Sequence, residues 1–483
     1  MSRIVIVSNR VASAGQAVNA GGVAVALAHV METREALWLG WSGDVVAEPP
    51  DAPTSEASGR GQLVTVPLTY DEHRDYYLGY ANSVLWPTFH NRLDLALFEG
   101  GFYQAYAEVN RRFAAALLPL LRPTDAIWVH DYHFLTLASA LREIGATNAI
   151  GFFLHIPFPP TQAYLALPEF EILAEALSAY DLIGLQSTAD VARLVGTLED
   201  AVAARLMTNG RVRMGDREVA IGSFPIGIDQ AFFEHAEISD DLLTGPGLRL
   251  IGADRLDYTK GLPHKFRAFG RFLEKHANYR GHVVLTQIAA PSRESVEAYT
   301  DIRSDLEALC GSINGRFGTL DWVPIHYINR TAPRAQLAGV YRSSRIGLVT
   351  PLADGMNLVA KEYIAAQSPD DPGVLILSRF AGAAEELAEA MIVNPYDIDG
   401  VADAIRHALE MPLEERRWRQ SALLRRVRRN DATAWAEGFL FALERVRHRD
   451  AGMPHNAMLL RSMRRLSSVA PGNNRPKLTA AGG

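Results

Sequence analysis

The chain has a single cysteine, Cys310, and can therefore form neither an intrachain disulfide framework nor a cysteine zinc site, a scarcity that fits a reducing cytoplasm. Long apolar runs are also missing. No stretch approaches a membrane span, and the N-terminal run Ile4 to Val7 is far too short for the apolar region of a signal peptide. Nor is there an excess of positive charge. The formal net charge of -7 argues against a nucleic-acid scaffold, because binding to a phosphate backbone usually leaves a basic footprint.

The composition that remains is that of a globular protein, with 48% hydrophobic and 21% charged residues. At 483 residues the chain is too long for one core, so two or more domains are expected. Short apolar runs alternate with longer helical segments, the pattern of parallel sheets covered by helices on both faces. Ile4 to Ser8, Ala126 to His130, Ile150 to His155 and Leu182 to Gln186 read as buried strands of a first half. Leu248 to Ala253, Val283 to Ala289, Ile346 to Thr350 and Val374 to Ser378 read as their counterparts in a second. Proline and glycine interrupt the pattern at Phe224-Pro225-Ile226-Gly227-Ile228, which places the domain boundary near residue 228.

Ligands of open parallel sheets bind beyond the carboxyl ends of the strands, so the polar residues that follow the apolar runs mark the candidate site. In the first half these are Asn9-Arg10, then Gly21-Gly22 ahead of a helix Val23 to Met31, His130-Asp131-Tyr132-His133, and His155 with its following prolines. The second half adds Asp254 to Gly261, Pro291-Ser292-Arg293, and the segment Thr350 to Tyr363, TPLADGMNLVAKEY. That last segment reads as a strand end, a polar turn and a helix opening at Asn357. Free backbone N–H groups and the positive dipole end of such a helix attract phosphate oxygens. Glu362, within the first two turns, suits hydrogen bonds from sugar hydroxyls. The plainer alternative is an ordinary turn at Asp354-Gly355 with Glu362 facing water.

A phosphorylated ligand at such a site needs its negative charge met either by a metal or by fixed cations. Arg255 and Lys260, on one strand-to-helix loop, suit fixed cations; a surface ion pair or a solvated loop is the bland reading. His130, Asp131, His133 and His155 also invite a reading as metal ligands. His130 and Asp131 are adjacent at a strand end, however, and would point to opposite faces, so no metal is expected.

These residues lie within sequence blocks that resemble the trehalose-6-phosphate synthases of glycosyltransferase family 20. The blocks run in the family's order from Ser2 to about residue 448: VSNR, AGG, LGWSG, VLWPTFH, WVHDYH, GFFLHIPFP, PIGID, RLDYTKG, DGMNLVAKEY, SRFAGAAEEL and VNPYD. The resemblance implies an α/β GT-B fold, two Rossmann-like doubly wound parallel-sheet domains facing across a cleft. Residues 1–228 would then bind the acceptor and residues 229–452 the donor, with a C-terminal helix crossing back. The implied reaction joins a nucleotide-activated glucose to glucose 6-phosphate with retention, without a cofactor. The implied partners are the nucleotide-sugar donor and the sugar-phosphate acceptor, not nucleic acid or a membrane, and a homo-oligomer is left open.

By the same resemblance Arg10, Tyr77 and Arg293 cradle the acceptor phosphate, Trp86 packs beside the acceptor sugar, and Asp131 meets its hydroxyls. Arg255 and Lys260 hold the donor diphosphate, and His155 and Asp354 face the donor glucose. Gly21, Gly22, Leu358 and Val359 add donor contacts, and Glu362 takes the ribose. No dedicated nucleophile is implied, which favours same-face attack, with Asp131 as general base the fallback. Two departures leave the donor base open among UDP, GDP and ADP, with UDP-glucose the default. The loop Ala14 to Ala20 is short, and Thr331-Ala332-Pro333 stands where relatives place an aromatic residue. A different phosphorylated acceptor, a cyclitol, or a noncatalytic nucleotide-sugar sensor are the alternatives.

Arginines 416, 417, 419, 425, 426, 428 and 429 form a basic run, but Trp418, Leu423, Leu424 and Val427 interleave with it and predict a helix with a solvated face. The tail 453–483, basic and without acidic residues, predicts a mobile extension.

Overall fold

The computed structural model describes residues 3–11, 22–50, 52–235, 247–292 and 297–449; Gly21, Arg293, the Ala14 to Ala20 loop and the tail lie outside them. The first sheet is built from β1 (Ile4–Arg10), β2 (Ala36–Val46), β3 (Thr54–Ser58), β4 (Gly61–Thr69), β5 (Ala126–His130), β6 (Ala149–Phe153), β7 (Leu182–Leu185), β8 (Arg205–Leu206), β9 (Arg211–Met214) and β10 (Arg217–Ser223). Its order is β3-β4-β2-β1-β5-β6-β7-β10-β9-β8. Every residue of β5 and β6 is buried, as expected for parallel strands covered on both faces.

This sheet is mixed rather than wholly parallel. β3 runs antiparallel to β4, and β9 runs antiparallel to β10 and β8. The cause is local: only Gly59-Arg60 joins β3 to β4 and only Gly215-Asp216 joins β9 to β10, and a parallel partner would need a crossover of a dozen or more residues.

The second sheet is wholly parallel and comprises β11 (Leu248–Arg255), β12 (Val283–Ala290), β13 (Ile325–Ile328), β14 (Ile346–Val349), β15 (Val374–Ser378) and β16 (Met391–Val393). Its order, β13-β12-β11-β14-β15-β16, is the doubly wound dinucleotide-binding arrangement. The helices that bear on the site are α1 (Gly22–Thr33), α2 (Thr188–Val202), α3 (Arg334–Arg342), α4 (Leu358–Ala366), α5 (Leu413–Arg429) and α6 (Ala432–Arg449).

Although α6 follows the second sheet in the chain, it packs on the first. The Phe439 ring stacks on Trp128 of β5 with centroids 4.9 Å apart, and Trp435 lies 4.9 Å from the same indole. A Cβ at Gly151 or Gly184 would fall 2.8 or 2.7 Å from the Phe439 ring, so glycine on β6 and β7 is what lets the helix approach. The outgoing and returning chains run side by side: the Ala432 amide donates to the Ile228 carbonyl at 3.3 Å. The buried Lys361 of α4 braces that crossing, donating to the Ile226 carbonyl at 2.7 Å and pairing with Glu386.

Candidate active site

In each sheet the order of the parallel strands reverses once, and the candidate residues gather at those two points. In the second sheet the reversal falls between β11 and β14. Arg255 ends β11, and the chain then makes the single turn Tyr258–Lys260, set by Asp257, whose buried carboxylate accepts from the Thr259 amide at 2.9 Å and the Tyr299 hydroxyl at 3.0 Å. The loop after β14 is tied to this turn by the Leu352 amide, 2.7 Å from the Thr259 carbonyl. Lys260, nearly buried, thereby meets Asp354, with Nζ 2.6 Å from Oδ2.

Asn357 holds both the carboxylate and the helix that follows. At φ 74° it stands in the left-handed region, its Nδ2 donating to Asp354 Oδ2 at 3.0 Å and its side-chain oxygen accepting from the Ala360 amide at 3.3 Å. Leu358 and Val359 are thus the first residues of α4, where backbone N–H groups lack intrahelical partners. Glu362 lies in the second turn; burial pushes its carboxyl up to about 7, against the opposing pull of Arg334 and the Tyr341 hydroxyl. It does not face open water as in the plainer reading.

In the first sheet the reversal falls between β1 and β5. The Arg10 guanidinium lies 5.1 Å from the Trp41 ring centroid, and Trp41 lies 5.1 Å from the ring of Tyr77. Asp131, just beyond β5, has φ 72°, an uncommon backbone for a non-glycine residue, and its Oδ1 accepts from the His155 amide at 3.2 Å. The His130 ring turns instead to His155, Nδ1 to Nε2 at 3.1 Å. Among the described residues, no group of three or more His, Cys, Asp or Glu is placed to hold a metal ion.

The tautomer of His155 follows from its neighbours. Gln186 Oε1 accepts from the Ile226 amide at 2.9 Å, which turns its Nε2 toward His155 Nδ1 at 3.5 Å. Nδ1 is then the acceptor, and Nε2–H donates to His130. Burial lowers His155 to about 3 and depresses His130 as well, so both imidazoles are neutral at pH 7. The long Gln186 contact leaves Nδ1 able to accept a sugar hydroxyl.

The two halves touch around this cleft. Arg255 lies over the Trp86 ring at 5.3 Å, and Arg92 over the Tyr258 ring at 5.4 Å. Trp86 itself is buried, with His90 hydrogen-bonded to its carbonyl at 2.7 Å. A Cβ at Gly355 would fall 2.1 Å from the His155 carbonyl, so this turn must be glycine to abut the first domain. Glu385, in the turn Ala383–Glu386, reaches over to the start of α2 and accepts from the Thr188 amide at 2.9 Å, its hydroxyl at 2.8 Å and the Ala189 amide at 3.0 Å.

Among the described candidates, Arg10 and Tyr77 share one wall through Trp41, Asp131 and His155 adjoin, Arg255 meets Trp86, Lys260 and Asp354 lie near His90, and Glu362 meets Arg334 and Tyr341 within the second domain. Gly22 is the first residue of α1. Arg293 and Gly21 fall outside the described residues. As site residues, sequence reasoning passed over Trp41, Gln186 and Glu385, and it marked Asn357 only as a helix start. Trp41, Asn357 and Glu385 stand inside the blocks LGWSG, DGMNLVAKEY and SRFAGAAEEL, which was the available signal; nothing local marks Gln186.

Two such sheets with polar residues converging between their switch points define a GT-B glycosyltransferase. The profile of glycosyltransferase family 20 matches residues 6–445, and the chain belongs to that family. The trehalose-6-phosphate synthase of Sodalis glossinidius is 42% identical over 461 residues, covering 92% of this chain and 97% of that protein. A crystal structure of the UDP-forming α,α-trehalose-phosphate synthase of Burkholderia xenovorans in complex with glucose-6-phosphate superposes with TM-score 0.87 at 42% identity, covering 92% of this chain and 100% of that one. An E. coli structure bound with UDP-2-fluoro glucose gives TM-score 0.86 at 40% identity, with coverage of 92% and 99%.

Proposed function

We propose that the chain transfers glucose from UDP-glucose to glucose 6-phosphate, in the cytoplasm, giving α,α-trehalose 6-phosphate with retention at the anomeric carbon. The observation that carries this reading is the pair of opposed cation sets: Arg255 and Lys260 at one switch point, Arg10 at the other. The ligands named for the Burkholderia and E. coli relatives are the matching sugar phosphate and nucleotide sugar. In this assignment residues 1–228 hold the acceptor through Arg10, Tyr77, Trp86, Asp131 and Arg293. Residues 229–452 hold the donor through Arg255, Lys260, Asp354, Leu358, Val359 and Glu362, with His155, Gly21 and Gly22 contributing from across the cleft.

The bond from glucose C1 to the diphosphate oxygen breaks as the acceptor hydroxyl oxygen bonds to C1 from the same face. The acceptor proton passes to the leaving phosphate oxygen, and Arg255 and Lys260 stabilise the charge left on UDP. Asp131 and Asp354 are both engaged, by the His155 amide and by Lys260 with Asn357, which favours attack without a carboxylate-bound sugar. The test is a matrix of UDP-, GDP- and ADP-glucose against glucose 6-phosphate and other phosphorylated acceptors, with product configuration read by NMR. UDP-glucose with glucose 6-phosphate should give the α,α-linked product at the highest kcat/KM. Preference for another acceptor, or a β linkage, would reject the assignment, and a glycosyl-enzyme trapped on a carboxylate would reject same-face attack.

A further inference from the structure

Lys361 is a buried charge that the proposed reaction does not use. It stands beside Glu362 on α4, yet its ammonium goes to the crossing between the domains, donating to the Ile226 carbonyl at 2.7 Å and pairing with Glu386. Glu386 is held in turn by Asn430 Nδ2 at 2.6 Å. Burial lowers the pKa of the ammonium, and the Glu386 carboxylate opposes that shift. A charged donor holds the carbonyl more firmly than a neutral one would.

Ile226 is gripped from the other side as well. Its amide donates at 2.9 Å to Oε1 of Gln186, just beyond β7, and this turns Gln186 Nε2 toward His155 Nδ1 at 3.5 Å. Lys361 and Gln186 are both buried. One residue of the crossing is thus pinned by its N–H to the first domain and by its C=O to a helix of the second. The next residue has little room to move, because a Cβ at Gly227 would fall 2.1 Å from the Asn430 carbonyl oxygen.

The histidine pair needs direction from outside. His155 Nε2 and His130 Nδ1, 3.1 Å apart, share one proton that either neutral ring can supply. If His155 supplies it, His155 Nδ1 is bare; if His130 supplies it, the proton of the His155 ring sits on Nδ1. His130 Nε2 is buried with no partner among the described residues, so it selects neither arrangement. Among the described residues the choice falls to the Gln186 amide, which presents an N–H to Nδ1.

We propose that Lys361 is a positioning residue, acting through the Ile226 backbone and Gln186 to keep His155 Nδ1 a bare acceptor toward the donor sugar. This role rests on the proposed contact between His155 and the donor glucose. The helix assigned to the nucleotide ribose would then also prepare a residue of the opposite domain.

The test reads the His155 ring nitrogens by NMR in the full, unliganded chain at neutral pH, with isotope-labelled histidine and with His155 identified by the signals absent from His155→Gln. Wild type is compared with Gln186→Met, with Glu386→Gln, and with the double variant Lys361→Met and Glu386→Gln, which leaves no buried carboxylate unpaired. Wild type and Glu386→Gln should show a bare Nδ1 and a protonated Nε2. Gln186→Met and the double variant should both spread the proton over the two nitrogens, and their calorimetric Kd for UDP-glucose should rise by about threefold or more. An unmoved His155 in the double variant would overturn the role even if that variant is less stable, because lost packing alone does not move a proton between ring nitrogens. An unmoved His155 in Gln186→Met would overturn it at the last link, and a moved proton with a Kd within about twofold of wild type would overturn its bearing on the donor. Lys361→Gln, which shortens the reach to Ile226, guards against misfolding of the double variant and should give a smaller shift of the same sign; no shift there would also overturn the role. Failure of wild type to bind UDP-glucose would overturn the role together with the donor reading, whereas an unmoved proton overturns the role alone.

Discussion

Replacing Lys260 with alanine separates the donor wall from the acceptor wall. Its ammonium sits 2.6 Å from Asp354 and is nearly shielded from solvent, so it is already desolvated and aimed before a substrate arrives. A fixed donor of this kind directed at developing charge contributes about 2.7 to 4 kcal/mol to transition-state stabilisation. Against that stands the attraction to Asp354, which the ammonium must share with the diphosphate and which offsets about 1 kcal/mol for a pair with residual solvent access. A net loss of about 2 to 3 kcal/mol corresponds to a fall in kcat of roughly 30- to 150-fold. In the proposed assignment Lys260 serves only the donor, so the KM for glucose 6-phosphate should stay within about twofold, since no bond to that substrate is removed. Initial rates of UDP release, with each substrate varied at saturation of the other, measure both quantities. A kcat within threefold of wild type would refute the reasoning, as would an intact kcat with a large rise in the acceptor KM.

Three further outcomes follow from the geometry. Glu362, raised from the ordinary carboxyl range to about 7, holds its proton in the folded chain where the unfolded chain has lost it, so its contribution to stability is full below about pH 4.5 and falls as pH rises through 7. Denaturant midpoints of Glu362→Gln should lack that decline; in wild type alone, UDP-glucose should bind more tightly at pH 8 than at pH 6, when the carboxylate can accept from the ribose, and a flat profile would exclude this. Glu385→Ala removes the acceptor that ties the second domain to the start of α2, which should favour an open cleft by about 1 kcal/mol, visible as a larger radius of gyration in solution scattering; an unchanged radius would show that the tie carries no weight. Phe439→Ala empties a fully buried ring site between α6 and the first sheet and should cost about 3 to 5 kcal/mol in chemical denaturation, where a loss below about 1 kcal/mol would contradict that packing.

The central strands were legible because burial on both faces makes them continuous apolar runs: Ala126–His130 and Val374–Ser378 begin and end where their sequence does. β3 was not, since TSEAS is almost wholly exposed and is held by its hairpin partner rather than by apolar content. β2 was hidden by the glycines and polar residues of ALWLGWSGDVV, although most of its first half is buried tryptophan and leucine. At the site, the residue types after each strand could be collected from sequence, and so could the helix opening at Asn357. The partners could not, because Lys260 and Asp354 lie 94 positions apart and Thr188 and Glu385 lie 197 apart. Gln186 turns its Nε2 to His155 because its Oε1 is held by the Ile226 amide, a backbone group with no signature in residue type. The solvated face expected of the basic run holds for Arg417, Arg425 and Arg428, whereas Arg416 is buried beneath Asp371 and Pro372.

The return of α6 bears on how the protein is made. The first sheet has all its strands once Ser223 has left the ribosome, yet Trp128, Gly151 and Gly184 wait for Trp435 and Phe439 before that side of the sheet is covered. At ordinary rates of synthesis this leaves an apolar face without its cover for roughly 10 to 40 seconds, while the whole second domain is being translated. The N-terminal half is thus the first to be synthesised and among the last to be finished, and a ribosome that stalls within the second domain would release a chain with that face bare.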